Sequence, residues 1–368
     1  MTARSAIEGG RITLEVLAGG ALSTLQDIGR TGLRRLGVPT AGTLAPAWMT
    51  IANALVGNPP DAPVIESFEG GLRLRANGGP VRVAHVGDAD VALVLDGERR
   101  ALEPWRSHVV PDGAELVLRG GGRARITVLA VAALVVPRVL GSASTYTRAE
   151  LGGLDGRALA TGATIAVDEG AAGRRGGPDL RCEPYAAPRA PDGAPLVIHA
   201  VPGPQHDAFD EATLDAFFDA IWTLSAAADR MGARLEGPTL AHRSAADRDI
   251  VSDAIVAGSV QVPGGGQPIV MLADAHTAGG YPKIATVVSS DLAGLAVQRP
   301  GTRFSVVRVD VDAAIERTRA AARALARHVA SLTAVAPDTI DTARLMAHNL
   351  VDGVTDGAPD EQEQERRP

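Results

Sequence analysis

Short β-type runs separated by turn residues constrain this chain more than any other feature. "RITLEVL", "LRLRA", "VRVAHVG", "VALVLDG", "ELVLRG" and "RITVLAVAALVV" fill the first half, and "PLVIHAV", "QPIVMLA", "KIATVVSS" and "RFSVVRV" follow later. Gly, Pro and Asp bound them at short intervals, the pattern of barrels and sandwiches rather than of βαβ units. Helical periodicity is confined to three places. "LAPAWMTIANALVG" puts Trp48, Ile51, Ala52 and Leu55 on one face, and "DEATLDAFFDAIWTL" does the same with Leu214, Phe217, Phe218 and Ile221. Residues 312–332 read as a long Ala/Arg-rich amphipathic helix.

The expected fold class is therefore mainly β, in two halves, with a few helices and a helical extension at the C-terminal end. The first half runs over 11–167 and the second over 196–310, with 311–352 as the extension. Residues 168–195 are rich in Gly, Pro and charge and read as a linker, and 353–368 as a disordered tail. At 368 residues the chain is long enough for two domains and a large core. A net charge of -7 with mixed signs gives no basic face for nucleic acid. A single cysteine, Cys182, excludes an intrachain disulfide framework and fits a reducing cytoplasm. No charged-then-apolar leader is present, and the longest apolar run is far short of the ~20 residues that span a membrane. The chain reads as soluble and cytoplasmic.

Of 36 basic residues, 35 are Arg and one is Lys, at position 283. A GC-rich coding sequence exchanges Lys for Arg wherever either serves, so the surviving lysine is either a chance survivor or the mark of a place that needs a compact ammonium. It lies in "MLADAHTAGGYPKIATV" (271–287), where a strand pattern is interrupted by Asp274, His276, Thr277, Gly279, Gly280 and Tyr281. Bare glycines let the backbone turn and approach a ligand. Asp274, His276 and Lys283 converging on a Gly-lined pocket would polarise a carbonyl or move a proton. A buried salt bridge with a hydrogen-bonded turn would use the same residues.

Other chemistries lack their signatures. There is no Gly-x-Ser-x-Gly elbow, no Gly-rich run ending in Gly-Lys-Ser/Thr, and no His-x-x-x-His pair, so neither a phosphate loop nor a metal site is expected. Four polar clusters interrupt apolar context. Gln26, Asp27 and Arg30 sit among glycines. Asn53 lies in a helix body and Asn58 past its end, as a C-cap. Ser142 and Ser144, in "LGSASTYTRAE", form either a tight barrel corner or an anion-binding nest of amides. Asp229, Arg230 and Arg234 form either a surface ion pair or a fork for a carboxylate.

Taken in order, "TLQDIGRTGLRRLGVPTAG", "ANALVGN", "LGSAST", "GGLDGRAL", "DRMGARLEG" and "GQPIVMLADAHTAGGYPKIATV" resemble the biotin-dependent carboxyltransferase-like family, from about 20 to 310. That family includes the C component of bacterial ATP-dependent 5-oxoprolinase, KipA-type proteins and a part of urea carboxylase. The resemblance implies two cyclophilin-like β-barrel subdomains. It implies a KipI-type component and a LamB/YcsF-type component as partners, and ATP with Mg in the complex. The implied reaction opens 5-oxo-L-proline to L-glutamate, with Lys283, Asp274 and His276 serving the amide and Arg230 holding the carboxylate. Thr277, Gly279, Gly280, Tyr281, Gln26, Asn53, Ser142 and Ser144 would bind substrate. The one lysine lacks the Met-Lys-Met setting, so no biotin is expected on this chain. The alternatives are a carboxyltransferase component of a urea-carboxylase-like system and a non-catalytic KipA-type regulator. Ala45, Ala132-Ala133 and Ala163 stand where relatives carry an acid, paired glycines and Asp.

Overall fold

The structure is a computed structural model and describes residues 12–120, 122–168, 177–185 and 194–336. It is mainly β, as the spacing of the short runs requires. In the first half two seven-stranded sheets face each other. One runs in the order Leu134–Val135, Thr164–Val167, Thr13–Gly19, Leu72–Asn77, Glu115–Leu118, Val91–Leu95 and Glu98–Leu102. The other runs Leu22–Gln26, Val64–Phe68, Ile126–Val131, Val81–Val86, Arg106–Val110, Leu180–Arg181 and Thr333–Ala334.

Leu14, Val16, Leu74, Leu116 and Ile165 of the first sheet meet Val83 and Leu129 of the second in one apolar cluster. The second sheet is buried on its other face as well. Ala84, Val86 and Val128, one step out of phase with Val83 and Leu129, join a separate cluster. That burial on both sides is why "VRVAHV" and "ITVLAV" read as nearly unbroken apolar runs rather than alternating ones.

The outer face is covered by helix α1 (Pro46–Leu55), which starts with proline at its first turn, where no amide partner is needed. Its buried Trp48, Ile51, Ala52 and Leu55 match the expected face. The same apolar cluster continues into the second half, a closed seven-stranded barrel filled by Ile198, Trp222, Val260 and Phe304. Its strands are Leu196–Pro202, Lys283–Val287, Ser259–Gln261, Ile269–Met271, Gly232–Glu236, Ile221–Leu224 and Arg303–Arg308, and parallel pairing of the first with the last closes the ring. Helices α2 (Glu211–Asp219), α3 (Ser289–Ala296) and α4 (Val311–Ala330) complete the described chain.

Three expectations need correction. The helical pattern of 210–224 stops at Asp219, and Ile221 belongs to a barrel strand with Trp222 pointing into the core. Adjacent β-branched and aromatic residues favour the strand there. The linker is not wholly irregular, because Leu180–Arg181 pairs with Arg106 and with Thr333–Ala334. For the same reason the extension is not helical throughout: α4 ends at Ala330 and a short strand follows. Its remainder after Ala336, and the tail 353–368, lie outside the described residues. One of the departures acquires a physical meaning. Ala133 holds φ +57°, the left-handed region that glycine adopts freely and alanine does not.

Candidate functional site

The interrupted strand of 271–287 resolves into three pieces. Strand Ile269–Met271 ends, residues 272–277 turn, and Ala278–Gly279 pairs with Asp253–Ala254 before strand Lys283–Val287 enters the barrel. The turn is closed by the Ala275 amide donating to the Leu272 carbonyl. Asp274 and His276 are therefore not on a strand, and strand parity does not align their side chains. This is the reason the expected convergence fails.

Asp274 is buried in an ion cluster that ties the two halves together. Arg230 donates to it twice, from Nε at 3.0 Å and Nη2 at 3.1 Å, and also to the Gly42 carbonyl at 2.6 Å and to Glu66. Glu66 accepts in turn from the Thr43 hydroxyl at 2.7 Å and the Leu44 amide at 2.8 Å. Burial raises the Asp274 carboxyl above its usual range, and the opposing pull of Arg230 does not cancel it. Arg230 is 7% exposed, and its donors are spent inside the protein. To hold a substrate carboxylate, as the resemblance implies, it would have to release one of these partners.

Lys283 is also buried, with its ammonium 2.7 Å from Asp253, which accepts a further hydrogen bond from Gln205 at 3.0 Å. Hydrogen bonding to Lys283 brings the Asp253 carboxyl down to about 2. Lys283 is thus partnered to the short strand Asp253–Ala254, apart from the Asp274 cluster.

His276 and Tyr281 are exposed and line a cavity of about 290 Å³ with Arg148, Asp229, Arg234 and Gln261. Gly232, Met231, Ile269 and Met271 supply backbone and apolar walls. Arg148 comes from the first half and the rest from the second. Asp229 caps its own turn by accepting the Met231 and Gly232 amides at 2.8 and 3.1 Å, and stands 3.7 Å from Arg148. Gly279 and Gly280 flank the cavity's His276 and Tyr281 in sequence. Thr277 accepts the Ile255 amide on its carbonyl.

The remaining predicted contacts are structural. Ser142 and Ser144 both donate to Asp27, at 2.5 and 2.6 Å, and Asp27 also accepts the Ala143 and Gly29 amides. Four donors hold its carboxyl below the usual range despite the opposing effect of burial. Gln26 donates to Thr24 and to the Thr145 carbonyl. Asn53 bonds the Ala62 carbonyl and Asn58. Ser142, Ser144 and Asn53 are partnered within the fold, as a barrel corner requires, whereas the buried Gln26 Oε1 has no partner among the described residues.

The family described as "Carboxyltransferase domain, subdomain A and B" matches residues 36–308. The chain belongs to that family. It is 33% identical over 309 residues to the C component of 5-oxoprolinase from Escherichia coli, covering 82% of this chain and 93% of that one. It is 34% identical over 312 residues to the C component of 5-oxoprolinase from Haemophilus influenzae, covering 83% and 94%. The crystal structure of the K. lactis urea amidolyase shares the fold, with a TM-score of 0.75 at 24% identity over 88% of this chain. The chain spans only 20% of that much longer protein.

Reasoning from sequence missed Glu66, Asp253, Gln205 and Arg148. Glu66 alone left a signal, a carboxylate in the middle of the otherwise apolar strand "VIESF". Among the described residues no three His, Cys, Asp or Glu side chains gather as a metal cluster, and no helix is long and apolar enough to cross a membrane.

Proposed function

We propose that the chain is the C component of a 5-oxoprolinase assembly and that 5-oxo-L-proline occupies the cavity lined by His276 and Tyr281. The observation that carries this reading is the 33–34% identity along nearly the whole length of two proteins of that name. The cavity supports it, since about 290 Å³ holds a small lactam and offers both cations and neutral hydrogen-bonding groups. A lactam is a poor electrophile through amide resonance, and the assembly overcomes this with ATP. The nucleotide belongs to the partner side, a KipI-type component working with a LamB/YcsF-type component in the cytoplasm.

In this reading His276 delivers a proton to the leaving lactam nitrogen. Asp274 and Arg230 are positioning residues that fix the turn carrying His276. Lys283 and Asp253 fix the short strand pair that leads to Tyr281. The test is 5-oxoproline-dependent ATP hydrolysis and glutamate release by the chain assembled with its KipI-type and LamB/YcsF-type partners. His276→Asn should lower turnover about 100-fold, the lower range for loss of a positioned acid or base. Turnover unchanged in that variant removes His276 from the chemistry, and ATP use that follows urea and biotin assigns the chain to the carboxyltransferase reaction instead.

A further inference from the structure

We infer that Arg234, assisted by Arg148, is the carboxylate anchor that makes the cavity select an α-carboxylated lactam over an unsubstituted one. This deepens the function proposed above and rests on it. A substrate carboxylate entering a cavity needs a cation whose donors are free, because an arginine already paired gains little by exchanging one acid for another. Arg230 fails that condition: Asp274, Glu66 and the Gly42 carbonyl take its donors. Arg234 meets it. Among the described residues its guanidinium makes no ion pair and no hydrogen bond, although it lines the cavity.

Its position follows from the barrel. On strand Gly232–Glu236 the neighbours Ala233 and Leu235 point into the core, so Gly232 and Arg234 face out together. Gly232 lies close against the neighbouring strand Ile269–Met271. An ideal Cβ there would stand 2.9 Å from Ile269. Arg148 reaches the same cavity from the first half and is held only loosely by Asp229, at 3.7 Å with both side chains more than half exposed. A carboxylate between Arg234 and Arg148 therefore bridges the two halves, and the guanidinium fork of Arg234 is suited to two-point binding. The lactam ring then extends toward His276 and Tyr281.

The experiment compares 5-oxo-L-proline with 2-pyrrolidinone, the same ring without the carboxylate, in the assembled complex. The wild-type assembly should favour 5-oxoproline in kcat/KM. Arg234→Gln should cut that preference about 10- to 100-fold, the span expected for one charge-assisted contact, while 2-pyrrolidinone changes less than about threefold. Arg234→Lys should recover part of the preference, keeping the charge without the fork. A preference that survives Arg234→Gln, or an equal loss on both lactams, overturns the anchor. If the wild-type assembly turns over neither lactam, the functional reading falls by itself. Calorimetric titration of 5-oxo-L-proline into the chain then judges the anchor: weaker binding in Arg234→Gln upholds it, and binding equal to wild type overturns it.

Discussion

Arg230 and Arg234 come from one short motif, "DRMGARLEG", and end in opposite environments. Arg230 is sealed in the seam between the two halves with each guanidinium nitrogen directed at an acid or a carbonyl. Arg234 stands in an open cavity with its guanidinium unpartnered among the described residues. The difference divides the charges of one motif between two settings. The buried charges fix the geometry of the seam, and the exposed ones remain available to a ligand. A buried ion cluster of this kind is poor evidence of stabilisation relative to an apolar core, but its parts depend strongly on one another.

The largest expected effect breaks the seam. Arg230→Met leaves Glu66 and Asp274 buried without their shared cation, at a cost of about 3–5 kcal/mol in stability. Arg234→Gln, by contrast, should change stability by no more than about 0.5 kcal/mol, as exposed substitutions do. Urea denaturation of the two variants reads both. Equal costs would mean that Arg230 is not the keystone of the seam.

A second prediction compares two buried aspartates. Asp27 accepts four hydrogen bonds, and Asp27→Asn, which turns an acceptor oxygen into a donor, should cost about 2–3 kcal/mol. The two acids should also give opposite pH slopes when each is compared with its own Asn variant. The Asp27 carboxyl is lowered in the fold, so its contribution is present above its unfolded value of 3.8 and is lost as pH falls through the lower folded value. The Asp274 carboxyl is raised, so its contribution is largest below 3.8 and is lost as pH rises through the higher folded value. Stability measured from pH 7 down to about 3 checks this. Parallel slopes for the two pairs would contradict the contrast between a carboxylate wrapped in donors and one that shares a cation.

Much of the fold was legible because its signals are local. Strand runs, turn residues and the face of α1 depend on near neighbours in the chain, and the second sheet's double burial is visible in "VRVAHV" itself. The site was legible only as a set of residues. Ser142 and Ser144 suited a tight barrel corner or an anion nest equally by type, and the anion they hold is the protein's own Asp27. Asp274, His276 and Lys283 looked convergent because they are close in sequence, whereas a turn at 272–277 and a barrel strand at 283 send them to different partners. Glu66, the acid that commits Arg230, lies 164 positions away. Nothing in either local motif encodes that pairing.

The smallest expected effect sharpens the same comparison at Gly279, which belongs to the edge of the cavity rather than to the seam. An added Cβ would lie 2.5 Å from Ile255 Cδ1 and 2.9 Å from Gln261 Nε2, both side-chain atoms able to move, and the backbone there is not in the left-handed region. Gly279→Ala should therefore cost only about 1 kcal/mol, the low end for overpacking. Its functional cost should exceed its structural one, because Gln261 lines the cavity and relieves the clash by shifting its amide. A melting temperature close to wild type together with a KM for 5-oxoproline raised severalfold is the expected result. An unchanged KM would show that Gln261 yields away from the cavity, and that the glycine serves only the packing of Ile255.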